Sequence, residues 1–173
     1  GPWEFGWGPQ DDDEAVAAVL KALEMGINWI DTAPAYGIGH SEELVGKALK
    51  QMRKRPIIAT KCGILGNEKR EKVTCLKKES ICKECHDSLK RLGVDVIDLY
   101  QMHWPDPADD VEEAWEEMVR LKDQGKVRYI GVCNFTVGHL ERVRKIRAAA
   151  SLQPPYNMLH RECENELLGY CTK

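Results

Sequence analysis

The chain lacks the features that would assign it to a membrane, nucleic-acid-binding or secreted class. None of its 173 residues falls in an apolar run long enough to cross a bilayer, so we expect no membrane insertion. The formal net charge is −3 and the basic cluster Arg53-Lys54-Arg55 is short, which gives no electrostatic case for nucleic acid. The first residues show no signal-peptide pattern, and seven cysteines are an odd number. We therefore expect reduced thiols, a cytoplasmic location and one domain over residues 1–173.

The cysteines also lack the second ligand pair that a zinc site needs. Cys82-Lys83-Glu84-Cys85-His86 fits the Cys-x-x-Cys-His spacing of haem attachment, and Cys62 and Cys75 invite a zinc alternative. Haem attachment needs an exported chain, and zinc needs a second matching ligand pair. Cys82 and Cys85 instead fall on the apolar side of a predicted helix, where cysteine acts as a small hydrophobic residue. We predict core packing and no metal site. Metal or haem binding and a redox pair are the alternatives.

A third absence is the Gly-x-Gly-x-x-Gly turn of dinucleotide-binding Rossmann folds, since Gly37-Ile38-Gly39 has no third glycine. The sequence instead alternates short β-branched runs with amphipathic stretches, which predicts a parallel sheet covered by helices. The predicted strands are residues 27–30, 57–61, 94–102, 127–132 and 152–153. The predicted helices begin at about Asp11, Ser41, Ser80, Asp109, Thr136 and Glu162, and residues 63–79 are a polar connection. Ser41, Ser80 and Thr136 are predicted as N-caps of their helices.

Polar residues follow the carboxyl end of each predicted strand, as in (β/α)₈ TIM barrels. We therefore predict an α/β fold of this type, incomplete in this chain, with about five to six of the eight βα units. Such a barrel brings its strand ends together at one mouth. The residues expected at that mouth are Asp31, Tyr36, Lys61, His103, Asn134 and Gln153.

An acid, a phenol, an ammonium and an imidazole at one barrel mouth predict a proton-donating site. A phenol is a poor acid at its free pKa of about 10, and a neighbouring ammonium lowers that pKa by stabilising the phenolate. An acid beside the ammonium keeps it charged and oriented. Such a group can give a proton to a carbonyl oxygen near neutral pH. The amides Asn134 and Gln153 can hold a planar carboxamide through paired hydrogen bonds.

Five segments of the chain form a recognisable series. They are residues 31–42 (DTAPAYGIGHSE), 60–63 (TKCG), 92–103 (LGVDVIDLYQMH), 125–135 (GKVRYIGVCNF) and 153–157 (QPPYN). In sequence and in order, these segments resemble the aldo-keto reductase family. The resemblance covers nearly the whole chain and is closest to the bacterial and channel-β-subunit-like branch. It implies an NADPH-dependent oxidoreductase that reduces aldehyde or ketone carbonyls of small molecules to alcohols.

The resemblance also implies a role for each residue. Tyr36 would be the general acid that protonates the carbonyl oxygen, and Lys61 would lower its pKa. Asp31 would pair with Lys61, and His103 would orient and polarise the carbonyl. Cofactor-binding residues would be Asp31, Cys133, Asn134 and Gln153. Substrate-binding residues would be Trp3, Tyr36, His103 and Trp104.

The chain departs from the family pattern in length and at one strand end. A complete barrel has about 250 residues or more, and nothing here corresponds to the last βα units, which would hold most of the cofactor-binding surface. The chain is a fragment, or residues are absent from the sequence given, or two copies complete each other as a homo-oligomer. The functional alternatives are a catalytically weak cofactor-sensing or partner-binding subunit and an inactive fragment. Cys133 stands where the family usually has serine, and a thiol is the weaker hydrogen-bond donor.

Overall fold

A five-stranded parallel sheet forms the centre of the computed structural model, which describes residues 11–66 and 71–172. The strands are β1 (Trp29–Asp31), β2 (Ile57–Cys62), β3 (Ile64–Gly66), β4 (Lys72–Thr74), β5 (Ile97–Met102), β6 (Val127–Cys133) and β7 (Leu152–Gln153). The helices are α1 (Asp12–Glu24), α2 (His40–Leu49), α3 (Lys78–Leu92), α4 (Val111–Asp123), α5 (Val137–Arg144) and α6 (Leu167–Cys171). The sheet order is β1-β2-β5-β6-β7, with every neighbouring pair parallel. This is the predicted architecture, a partial (β/α) barrel.

The helices cover one face of the sheet and form the main core with it. Side chains along each strand point alternately to the two faces of the sheet. Those on the helical side include Ile58, Tyr100 and Met102, which are fully buried. Trp115 of α4 is also fully buried, and its indole Nε1 donates to the Arg147 carbonyl oxygen at 2.9 Å. The buried indole N–H is therefore hydrogen-bonded, as buried polar groups usually are.

The other face of the sheet is open toward the side where a full barrel would have its interior. Trp29 pairs in register with Ile57, and Leu99 pairs with Tyr129, so these side chains share one face. Trp29, Ile57 and Tyr129 are 45%, 41% and 59% exposed. Asp31 and Lys61 lie on the same face, one or two pleats further along their strands. The candidate site is therefore at the carboxyl ends of the strands, on the open face.

Two predicted helix N-caps, Ser41 and Ser80, are wrong, because their hydroxyl groups bond elsewhere. Helix α2 begins after Gly39, and the Ser41 Oγ lies 2.9 Å from the Thr32 Oγ1 instead of capping the helix. Helix α3 begins after Lys77, and Ser80 lies inside it. The Thr136 cap is confirmed, and Asp11, which is predicted only as the start of the first helix, is also a cap, since each side chain accepts a backbone N–H of its own helix.

The polar connection predicted at residues 63–79 is also wrong in part. It contains the antiparallel hairpin of β3 and β4 and the start of α3. The first strand begins at Trp29 and not at Ile27, which is 55% exposed. A 3-10 turn at Ala108–Asp110 precedes α4. The final helical stretch is divided into a 3-10 turn at Glu162–Glu164 and helix α6.

The cysteines are free thiols in different surroundings. Cys85 is fully buried, as predicted, whereas Cys82 is half-buried with its Sγ 3.5 Å from the Arg120 Nη2. In the part of the chain that the structure describes, no three His, Cys, Asp or Glu side chains are grouped to hold a metal ion. Within the same ranges, every helix is too short or too polar to cross a membrane.

Candidate active site

The loop after β1 carries the candidate acid, Tyr36, and is fixed by its own small residues. Ala33 and Ala35 are buried, and the Tyr36 N–H donates to the Ala33 carbonyl oxygen at 3.1 Å. Gly39 takes a φ of 87°, a left-handed conformation that glycine accepts without strain. A Cβ at Gly39 would also lie 2.7 Å from the Arg91 Cδ. The loop therefore turns sharply against α3 before α2 begins.

Lys61 and Asp31 form an ion pair at neighbouring strand ends. The Lys61 Nζ lies 2.7 Å from the Asp31 Oδ1 and donates to the Thr32 carbonyl oxygen at 3.0 Å. The lysine side chain is only 3% exposed, so these partners replace the water that an exposed ammonium would bind. The Nζ is also 5.3 Å from the centroid of the Tyr36 ring. The predicted acid, phenol and ammonium are thus brought together.

His103 completes the group at the end of β5. Its ring centroid is 6.0 Å from that of Tyr36, with the ring planes at 83° in an edge-on arrangement. Burial, followed by the positive charges of Lys61 and Lys72, lowers the pKa of His103 to about 4. The imidazole is therefore neutral at neutral pH, with one nitrogen able to donate a hydrogen bond and the other able to accept one.

The predicted cofactor residues adjoin this group through hydrogen bonds. The Gln153 Nε2 donates to the Asp31 Oδ2 at 3.1 Å, and the Cys133 Sγ donates to the Gln153 Oε1 at 3.3 Å. Burial raises the pKa of Cys133 to about 12, so its thiol stays protonated and can donate. Asn134, with a φ of 60°, donates from its Nδ2 to the His103 carbonyl oxygen at 2.9 Å.

The structure describes only one of the two tryptophans predicted to line the substrate mouth. Trp104 is 42% exposed just beyond β5, and the Lys72 Nζ lies 5.7 Å from its ring centroid. Lys72 belongs to the hairpin that the sequence did not predict. Trp3 lies outside the described residues.

Sequence reasoning missed a buried acid behind the site, Glu42. Its Oε1 accepts the Thr60 hydroxyl at 2.6 Å, and its Oε2 accepts the Arg91 Nε–H at 2.6 Å. Glu42 is fully buried. An acid in the first turn of a helix is also explained by the helix dipole, so its position gave no signal of these partners.

This chain is similar in sequence to known proteins. A sequence model described as the aldo/keto reductase family matches residues 1–173. The aldo-keto reductase YhdN of Bacillus subtilis (strain 168) is 44% identical over 175 residues, covering 98% of this chain and 53% of that protein. The NADH-specific methylglyoxal reductase of Escherichia coli (strain K12) is 37% identical over 189 residues, covering 99% of this chain and 58% of that protein.

Solved structures show the same likeness. The glycerol dehydrogenase AKR11B4 from Gluconobacter oxydans matches with a TM-score of 0.88 and 40% identity, over 95% of this chain and 52% of that one. An aldo/keto reductase from Klebsiella pneumoniae in complex with NADP and acetate matches with a TM-score of 0.78 and 28% identity, over 93% and 54%. The chain spans about half the length of the curated relatives it matches.

Proposed function

Because this chain belongs to the aldo/keto reductase family, we propose that it reduces aldehyde or ketone carbonyls to alcohols with a nicotinamide cofactor. The observation that carries this proposal is that the Lys61 Nζ, which is paired with Asp31, lies 5.3 Å from the centroid of the Tyr36 ring. A phenol beside a buried ammonium is suited to donate a proton to a carbonyl oxygen. In this proposal the catalytic residues are Asp31, Tyr36, Lys61 and His103.

The proton step uses each of these residues differently. The Tyr36 hydroxyl donates its proton to the carbonyl oxygen as the alcohol forms. The Lys61 ammonium stabilises the phenolate that remains, and Asp31 holds that ammonium in place. His103, neutral at neutral pH, donates a hydrogen bond that orients the carbonyl oxygen. Trp104 is proposed to contact the rest of the substrate from the rim.

The amide groups at the strand ends fit the nicotinamide part of a dinucleotide. Asn134 and Gln153 offer donors and acceptors beside the proton-donating group, which is what a planar carboxamide needs. Gln153 already bonds to Asp31 and Cys133, and these two bonds leave one N–H and one lone pair of its amide available for a carboxamide. When bound, the cofactor would supply the hydride.

We propose NADPH as the cofactor, and the comparisons make NADH the direct competitor. A neighbouring structure holds NADP, while one relative is named as NADH-specific. Titrating each cofactor separately into the 173-residue chain, with cofactor fluorescence as the signal, tests this. Tighter binding of NADH would contradict the choice of NADPH.

Replacement of Tyr36 tests the proposed acid. Tyr36→Phe should lower the turnover of 4-nitrobenzaldehyde by about 10²-fold or more, because the proton donor is lost. Its affinity for NADPH should stay unchanged, since the ring remains. Tyr129→Phe is the matched control, because that tyrosine is 59% exposed on the same sheet face and away from the strand ends.

Equal turnover in Tyr36→Phe and the unsubstituted chain would contradict the role of Tyr36 as the general acid. No cofactor binding at millimolar concentration would contradict the reductase proposal for this chain. Cofactor binding without turnover would instead favour the alternative of a cofactor-sensing or partner-binding subunit.

A further inference from the structure

Two buried carboxyl groups hold the backbone on either side of Lys61. Glu42, at the start of α2, accepts the hydroxyl of Thr60, the residue before Lys61. Glu84, on α3, accepts the backbone N–H of Gly63 at 2.9 Å, two residues after Lys61. The exposed fractions of Glu42 and Glu84 are 0% and 3%. The strand segment that presents the ammonium is thus fixed from both directions.

Glu42 also links this strand to the Tyr36 loop. It lies three residues beyond Gly39, the last residue of that loop before α2. One carboxylate therefore binds the strand that carries Lys61 and anchors the chain segment that carries Tyr36. The separation of Lys61 and Tyr36 sets the geometry of proton donation.

Arg91 of α3 supplies the charge that permits a carboxylate at this depth. Its Nε donates to the Glu42 Oε2 at 2.6 Å, and its Nη2 lies 3.4 Å from the Ser88 Oγ. An ionised carboxylate buried without a cationic partner would be costly. The α2 and α3 backbones are also close here, since a Cβ at Gly46 would lie 2.4 Å from the Arg91 carbonyl oxygen.

Glu84 and Arg91 are seven residues apart on α3, which places them on one face of that helix. The second carboxyl oxygen of Glu84 accepts the Ser80 hydroxyl at 3.0 Å. Helix α3 therefore contacts the rear of the site twice, at Gly63 through Glu84 and at Thr60 through Arg91 and Glu42.

We propose that Glu42, Glu84 and Arg91 are positioning residues that hold Lys61 and the Tyr36 loop in their reactive arrangement. The proposal rests on the proposed carbonyl reduction. It goes beyond a general contribution to stability, because the three side chains act on the two segments that carry the acid and the ammonium. Their loss should loosen those segments before it affects the rest of the sheet.

Hydrogen exchange measured by mass spectrometry distinguishes local positioning from general stability. Arg91→Met should raise amide exchange by about tenfold in residues 32–41 and 60–63 and leave residues 127–133 of β6 unchanged. Arg142→Met is the matched control, because that arginine pairs with Glu112 on α4, away from Lys61. Arg91→Lys should restore most of the protection.

Turnover provides the second measurement. Arg91→Met should lower kcat for 4-nitrobenzaldehyde by about 10²-fold with the Kd for NADPH unchanged, since misplacement of reacting groups by about 1 Å has effects of that size. If the unsubstituted chain shows no turnover, the proposed reductase function fails for this chain. The exchange measurement still decides the positioning proposal in that case.

Two outcomes overturn the proposal. Exchange that rises equally in all three segments shows a general loss of stability, and exchange that stays unchanged shows no hold on the site. If Arg91→Met does not fold, the nearly isosteric Glu84→Gln and Glu42→Gln variants take its place. Glu84→Gln tests residues 60–63, and Glu42→Gln tests both segments, against the same reference strand.

Discussion

Burial favours the neutral form of two titratable side chains close to the candidate site. It lowers the pKa of His103 to about 4 and raises the pKa of Glu84 to about 7. The Gly63 N–H, the Ser80 hydroxyl and the charge of Arg91 oppose the shift of Glu84, while the charge of Glu42 adds to it. Lys61 and Asp31, by contrast, form an ion pair in direct contact at 2.7 Å.

The raised pKa of Glu84 predicts a stability that depends on pH. The native state holds this proton up to about pH 7, whereas the unfolded chain releases it at about 4.5. The free energy of unfolding should therefore fall as the pH rises between those values, by about 3 kcal/mol at most. Urea unfolding at several pH values measures this contribution, and Glu84→Gln should remove it. An equal slope in both proteins would contradict the shift.

Helix starts show how far local sequence signals reach at the scale of single elements. Thr136 could be predicted as a cap, and Asp11 also caps its helix, because each side chain accepts a backbone N–H three residues further along the chain. Ser41 has the same local signal, but its hydroxyl lies against Thr32 nine residues earlier. The β3–β4 hairpin has strands of three residues each, too short for a hydrophobic period to show.

The capping box of α5 can be tested by substitution of Thr136. Thr136 accepts the His139 backbone N–H, and the His139 ring accepts the Thr136 N–H in return. Thr136→Ala should lower the free energy of unfolding by about 1 kcal/mol, as loss of a helix cap typically does. Thermal or urea unfolding measures the loss. Thr136→Ser keeps the hydroxyl and should retain most of the stability, so an equal loss in Thr136→Ser would argue against the cap.

For the whole molecule, the sequence was sufficient for the parallel sheet and for the residues at its strand ends. Each strand has a local signature, and parallel strands bring their carboxyl ends to one edge. The same reasoning could not predict Arg91 as the partner of Glu42, because the two are 49 positions apart and lie on different helices. It also gave no account of which apolar residues would remain exposed.

The open sheet face predicts binding of a hydrophobic dye. Trp29, Ile57 and Tyr129 together present an apolar surface of the kind that monomeric proteins usually bury. The chain should therefore enhance ANS fluorescence under native conditions, and the double substitution Trp29→Gln and Tyr129→Gln should reduce the signal. Met25→Gln is the control, because that side chain is 77% exposed outside the sheet. An equal reduction in the control would contradict the assignment of the dye to this face.

The hydrogen bond between Gln153 and Asp31 has a consequence for the order in which the molecule folds. It joins the two edge strands of the sheet, β7 and β1, and closes a loop of 122 residues. Closing so long a loop costs more chain entropy than pairing neighbouring elements, and contacts distant in sequence form slowly. Helices and adjacent strands should therefore form early in refolding, and this link between the site residues should form among the last contacts. Recovery of the site would lag behind recovery of the secondary structure.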